Sequence, residues 1–204
     1  MTLSREIFRK IFHLFAFLIV VAFYYLGKET FAKLFIPLTI IILLLDWSRC
    51  KFEKIHNLSS RIFSLIMREK ELQERKLSGM SWLFLSASFN FALFEPIIAI
   101  TGFCILIFAD SSAAVIGKSF KSRAFYQKSL FGSIAFFIVS IIIIVVIGTF
   151  FKCRPSFFFF AILVSIYITY LEAYPDLFKI DDNFLIPIAF GILMTMLNFM
   201  WHIV

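Results

Sequence analysis

The feature that most limits what this chain can become is a series of apolar runs, each near the length a bilayer demands. They cover residues 11–26, 31–47, 78–94, 96–116, 129–151, 157–174 and 184–204. A hydrocarbon core about 30 Å thick takes roughly 20 helical residues. Backbone polar groups cannot go unpaired there, so the spans must be helices or a closed barrel, and runs of this length without strand alternation predict helices. The expected architecture is therefore an all-α polytopic membrane protein of about seven transmembrane helices. The run at 78–94 is the weakest, being short and carrying Ser78, Ser81, Ser86, Ser88 and Asn90; read as re-entrant, it would leave six full spans. The first run follows a basic N-terminus but has no small-residue cleavage site, so it is expected to stay in the protein as a helix.

Composition closes off the alternatives. The chain has 204 residues, 61% of them apolar and 16% charged, against about 45–50% and about 25% in soluble domains. Residues 1–204 are thus expected to form a single transmembrane domain. Thirty phenylalanines spread along the chain mark no site. Cys50, Cys104 and Cys153 are far apart, as are His13, His56 and His202, so neither a disulfide framework nor a zinc site is expected.

The net charge of +7 is mostly an orientation signal. Lys and Arg collect in cytoplasmic loops. With the N-terminus inside, inner segments hold sixteen basic residues and outer segments four, namely Lys28, Lys33, Lys152 and Arg154. The expected topology has a cytoplasmic N-terminus and an outer C-terminus, and no nucleic-acid partner is needed to explain the charge. The second loop, 48–77, carries Ile55, Leu58, Ile62, Leu65, Ile66 and Leu72 at helical spacing opposite Lys54, Arg61, Arg68 and Lys70. It is expected to be an amphipathic helix on the inner leaflet.

Ionisable groups within spans are costly, so each calls for a reason. Glu6, Arg9, Lys10 and His13 follow i, i+3, i+4, i+7 spacing and share one helix face. Asp46 and Arg49 end the second span, where a boundary ion pair is the simpler account. Asp110 lies in the inner half of the fourth span, with Ala113, Ala114 and Gly117 on its face, so a helix or ligand can approach closely. The next loop carries Lys118, Lys121, Arg123 and Lys128. There Ser129 is placed to cap a helix whose first turn includes Gly132 and Ser133, an arrangement that favours an anion. Glu172 closes the sixth span, and Asp181, Asp182 and Asn183 precede the seventh. These last groups suit either a helix N-terminus or a magnesium ion carrying phosphates. All these clusters fall on the cytoplasmic side. A membrane enzyme joining a phosphorylated cytosolic donor to a lipid acceptor would need such one-sidedness, whereas a small transporter or flippase component would more often place polar groups near the midplane.

The order of these motifs resembles a known family. Arg9-Lys10-x-x-His13, Asp46-x-x-Arg49, Lys76-Leu77-Ser78-Gly79, Asp110 to Gly117, Lys128-Ser129-x-x-Gly132-Ser133, Glu172 and Asp181-Asp182-Asn183 to Pro187 are together similar to the CTP-dependent lipid kinases. That family includes dolichol, phytol and farnesol kinases and the yeast-type diacylglycerol kinase, and is more distantly similar to CDP-diacylglycerol synthases. The resemblance implies transfer of the CTP γ-phosphate to the hydroxyl of a polyprenol, phytol, farnesol or diacylglycerol in a cellular membrane: the inner membrane of a bacterium, or one of endoplasmic-reticulum type in a eukaryote. A phosphatidate cytidylyltransferase is the alternative chemistry. It further implies Mg²⁺ or another divalent cation on Asp110, Asp181 and Asp182, and phosphate binding by Lys118, Lys128 and Ser129 to Ser133. Arg9, Lys10 and His13 would complete the polar pocket, and Asp110 or Asp182 would accept the alcohol proton. Glu6, Asp46, Arg49, Glu172 and Asn183 would support the site. Lys121 and Phe131 depart from the pattern, standing where a glycine and an acid are expected.

Overall fold

The computed structural model describes residues 3–63, 76–174 and 180–203, with side chains from 7–59, 76–174 and 180–203. The chain is an all-α polytopic membrane protein. Five apolar helical stretches among the described residues are long enough to cross a bilayer, joined by one shorter apolar helix.

The first stretch, Ile7–Lys51, holds 45 residues, roughly 68 Å of helix at 1.5 Å per residue, far more than one crossing. It is interrupted twice. Helix α1, Leu3–Leu14, ends in a tight turn in which the Phe15 and Ala16 N–H groups donate to the Phe12 and His13 carbonyls. Helix α2, Phe17–Lys51, breaks at Gly27, whose φ of 74° lies where side chains are disfavoured. The chain folds back there: Ile19 and Ile42 line one cavity, although a straight helix would hold them about 35 Å apart. The expected first span of 11–26 is thus split at Phe15–Ala16, with no glycine or proline to signal the split.

Helix α3, Glu53–Phe63, begins the second loop with the expected helical character, and Ile55 and Leu58 are exposed. The remainder of that amphipathic pattern, Leu65, Ile66 and Leu72 with Arg68 and Lys70, lies outside the described residues, as do the side chains of Arg61 and Ile62. Helix α4, Gly79–Leu93, is capped by the Ser78 hydroxyl, which accepts from the Ser81 N–H at 3.3 Å. At 15 residues it is shorter than the roughly 20 a bilayer asks for. Ser81, Ser86 and Asn90 are fully buried, so its polar groups face protein, where lipid imposes no penalty.

Helix α5, Pro96–Cys104, continues through a π-helical turn, Ile105–Ala109, into α6, Asp110–Ser119. A short antiparallel hairpin pairs β1, Ala124–Phe125, with β2, Lys128–Ser129. Helices α7, Leu130–Phe150, α8, Pro155–Ala173, and α9, Asp182–Trp201, complete the bundle. The core is phenylalanine-rich: Phe91, Phe103, Phe136, Phe157 and Phe190 are among the largest fully buried side chains.

Contacts at helix ends show how the passes alternate. At one end Arg49 meets Lys76 and Asn183 meets Gly79. At the other, Lys28 meets Phe94, Arg154 meets His202, and the Tyr24 ring packs on Phe150 and Phe151.

Candidate active site

Two ion-paired groups form the floor of the polar end. Lys10, on α1, and Asp110, the first residue of α6, are paired across 100 residues of sequence, with side chains 4% and 10% exposed. The tight turn after α1 and the π-helical turn before α6 bring them together, a usual place for such turns. His13, one turn beyond Lys10, lies beside the backbone carbonyl of Leu106 inside that π turn. Its Nε2 is buried and has no hydrogen-bond partner.

The second group is built by the hairpin. Tyr126, at its tip, takes φ 54°, an uncommon conformation for an aromatic residue. Its ring packs against Tyr170 and Tyr174, with centroids 5.2 and 5.7 Å away, and the Gln127 N–H donates to the Ala173 carbonyl at 3.1 Å. Docked this way on the end of α8, the hairpin aims Lys128 inward. Its Nζ donates to Glu172 Oε1 at 2.6 Å and to Asp182 Oδ2 at 3.0 Å. Burial works against the Lys128 ammonium, but Asp182, Glu172 and Asp110 more than offset it and hold the proton well above the ordinary lysine value. Lys128 is therefore a permanent cation at neutral pH. Glu172 Oε2 and Asp182 Oδ1 are buried without a hydrogen-bond partner.

Helices α6 and α7 cross at two glycines. A Cβ on Gly117 would lie 2.8 Å from Ser129 Oγ, and one on Gly132 would lie 3.0 Å from the Ala113 carbonyl oxygen. This close crossing places Lys128 near Asp110. The anion cradle expected at the start of α7 is already filled: the N–H groups of Leu130, Phe131 and Gly132 donate to the Arg123 carbonyl, Ser122 Oγ and Ser129 Oγ. An anion here would meet side chains, not free backbone donors. Ser133 Oγ is buried without a partner, while Lys118 and Phe131 are exposed.

A clamp joins α2 to α4. Asp46 accepts from Arg49 Nε at 2.6 Å, from the Ser78 N–H at 2.7 Å and from Ser81 Oγ at 2.6 Å; Arg49 Nη2 donates to the Lys76 carbonyl at 2.6 Å. Beside it, Asp181 caps α9 by accepting from the Asn183 N–H, and Asn183 Nδ2 donates to the Gly79 carbonyl. A cavity of about 650 Å³ opens between these parts. Arg9, His13, Asp46, Arg49 and Asn183 lie in its wall, together with apolar residues such as Phe12, Ile19 and Leu83.

Among the residues singled out from sequence, the structure thus gathers Lys10, His13, Asp110, Lys128, Glu172 and Asp182 into one electrostatic neighbourhood. Arg9, Asp46, Arg49 and Asn183 stand in the adjoining cavity wall. Glu6 lies on α1, its side chain outside the described residues. The hairpin that aims Lys128 escaped sequence reasoning, because Tyr126-Gln127 is not a turn dipeptide of the Asn-Gly kind. Among the described residues no group of three or more His, Cys, Asp or Glu side chains converges as a metal centre.

Fold and site define a class: an integral membrane protein whose helices enclose paired lysines and carboxylates beside a cavity that is charged at one end and apolar at the other. The chain belongs to the same family as an uncharacterized protein of Rickettsia prowazekii, with which it is 32% identical over 89% of each chain. It is also similar to two proteins named CTP-dependent diacylglycerol kinase 1. The one from Eremothecium gossypii is 27% identical over 94% of this chain and 67% of its own length, and the one from Saccharomyces cerevisiae 28% over 94% and 73%. No family model and no solved structure matches the chain.

Proposed function

We propose that this protein is a CTP-dependent kinase that phosphorylates the hydroxyl of a membrane lipid alcohol, with residues 1–204 as one catalytic unit and the charged end at the cytoplasmic face. The observation that carries this reading is the amphiphilic cavity. Its polar wall carries Arg9 and His13, which flank Lys10 along α1, and Asn183, which follows Asp182, while its apolar wall offers a hydrocarbon tail a place close to those groups. The choice of CTP rests on the similarity to the two yeast kinases.

Phosphoryl transfer asks chiefly for positioning and for compensation of charge on the transferred group. In this reading Lys128 and Lys10 take phosphate oxygens, Arg9 and Arg49 hold the polar end of the lipid, and the apolar wall keeps water away from its hydroxyl. Glu172 and Asp182, each with a buried oxygen lacking a partner, fit a divalent cation of the magnesium kind, which prefers one or two carboxylates plus substrate phosphates. Asp110, committed to Lys10, and Asp181, committed to the helix cap, fit it less well. When bound, such a cation would neutralise charge on the β- and γ-phosphates.

The test is transfer from γ-labelled CTP, with Mg²⁺, to micelles containing dioleoylglycerol, farnesol or a polyprenol. Label in a phosphorylated lipid is expected. Label recovered only in pyrophosphate would move the assignment to cytidylyl transfer, and CTP left unconsumed with every lipid would end both enzyme readings.

A further inference from the structure

We infer that Lys128 is a tethered competitor for the divalent cation: its ammonium holds the place between Glu172 and Asp182, and yields it when nucleotide phosphates take the ammonium instead. This deepens the phosphoryl-transfer reading and rests on it.

The geometry supplies three reasons. First, one ammonium bonds one oxygen of each carboxylate, Glu172 Oε1 and Asp182 Oδ2, and so leaves Glu172 Oε2 and Asp182 Oδ1 buried without partners. The Glu172 side chain is 2% exposed, so water is a poor substitute, and a buried acceptor without a donor is destabilising. Second, Lys128 lies within reach of three carboxylates, Asp182, Glu172 and Asp110, so a cation taking the place of its ammonium would meet negative charge from all three. A divalent cation brings one more positive charge than the ammonium it displaces, and so makes the site more attractive to a polyphosphate. Third, the competitor can leave. Lysine is a point charge on a flexible stem, the Lys128 side chain is 27% exposed, and it sits on a two-residue strand.

Cation and ammonium therefore exclude one another at these carboxylates, and phosphate relieves the exclusion by drawing off the ammonium. Nucleotide and cation should bind with positive coupling, and that coupling should pass through Lys128. Free cation alone should bind weakly.

The test is a titration of the full chain in nanodiscs with Mn²⁺, followed by electron paramagnetic resonance without turnover. Lys128→Met should bind Mn²⁺ about tenfold tighter than wild type, within the usual range of coupling factors. Glu172→Gln or Asp182→Asn added to it should abolish that gain, and Lys128→Arg, which keeps the charge, should not show it. CTP should tighten Mn²⁺ binding to wild type and have little further effect on Lys128→Met. Should Lys128→Met not fold, Lys128→Gln, which can still donate to the carboxylates, replaces it. Equal Mn²⁺ affinity in wild type and the uncharged variant would overturn the inference, as would a gain that survives Glu172→Gln. Neither result depends on label reaching a lipid, so failure of the kinase reading would be seen separately.

Discussion

Two cavities of about 650 Å³ each flank the first pass of the chain, and they differ in almost everything but size. One runs between the first part of α2 and α7, lined by residues such as Val20, Ile143, Val146 and Phe150, with Ser112 near one end and Tyr24 near the other. The other lies between the turn after α1, the last part of α2 and α4, and its wall passes from Phe12, Ile19 and Leu83 to Arg9, His13, Asp46 and Arg49. In a bilayer an apolar groove is simply a surface for lipid tails. A cavity that changes from apolar to charged selects an amphiphile, because only an amphiphile satisfies both walls. Volume alone therefore does not mark a site in this protein.

The largest effect should come from the ion pair behind the charged wall. Asp110→Asn removes the carboxylate that Lys10 meets across the fold, a change worth about 3–5 kcal/mol of stability. Turnover should fall by about 10³-fold, as for loss of a group acting directly on transition-state charge. Thermal unfolding and label transfer measure the two losses. A double variant, Lys10→Met with Asp110→Leu, should recover most of the stability and none of the turnover. Recovery of turnover as well would reduce the pair to a structural strut and leave the two cavities chemically alike.

Next is the clamp that shapes the charged wall. Asp46→Asn keeps the size of the side chain but weakens its hold on Arg49, Ser78 and Ser81, and should cost about 2–3 kcal/mol as a charged acceptor loses its donors. The KM for the lipid should rise more than that for CTP, since Asp46 and Arg49 lie in the cavity wall and outside the Lys128 group. An equal rise in both would mean that the clamp only holds the fold.

The direct comparison is by filling. Ile42→Trp, in the amphiphilic cavity, should raise the lipid KM about tenfold, the scale of one or two lost methylene contacts. Val146→Trp, in the apolar groove, should stay within about twofold, as expected of a surface change away from a site. Equal losses would make the groove part of the lipid path.

How far the sequence could foresee this division depends on which forces set each part. The passes were legible because bilayer thickness sets their length, Ser129 could be placed as a cap from local spacing, and a cap was one of two readings open for Asp181. What a cap then does was not legible. Ser129 does close the start of α7, but Ser122 and Arg123, from a loop without strong turn signals, take the remaining donors that a phosphate would have used. The Lys10–Asp110 pair depends on a tight turn and a π turn without glycine or proline, and the aim of Lys128 depends on Tyr126 finding Tyr170 and Tyr174. Each is a contact between distant segments, invisible to periodicity. The same limit explains Glu172: sequence placed it at a helix end, and only the fold shows that it shares a lysine with Asp182.

The smallest predicted effect contrasts the two ends of the bundle. At the end away from the charged groups, Lys28 donates to the Phe94 carbonyl at 3.1 Å, where α4 has run out of helical partners for its last carbonyls. This lysine acts as a cap, near a helix C-terminus that favours a cation. Lys28→Met should therefore cost about 1 kcal/mol, the usual net worth of one such hydrogen bond, and leave both KM values and turnover unchanged. The equivalent change at Lys128, a lysine of the same length and charge, should disable catalysis. The difference lies in the partners: a single carbonyl needs only a donor, whereas two buried carboxylates with oxygens to spare also accept a metal. If Lys28→Met lowered turnover as far as Lys128→Met, the far end would be coupled to the chemistry, and the division of the molecule into a charged working end and a merely capped one would fail.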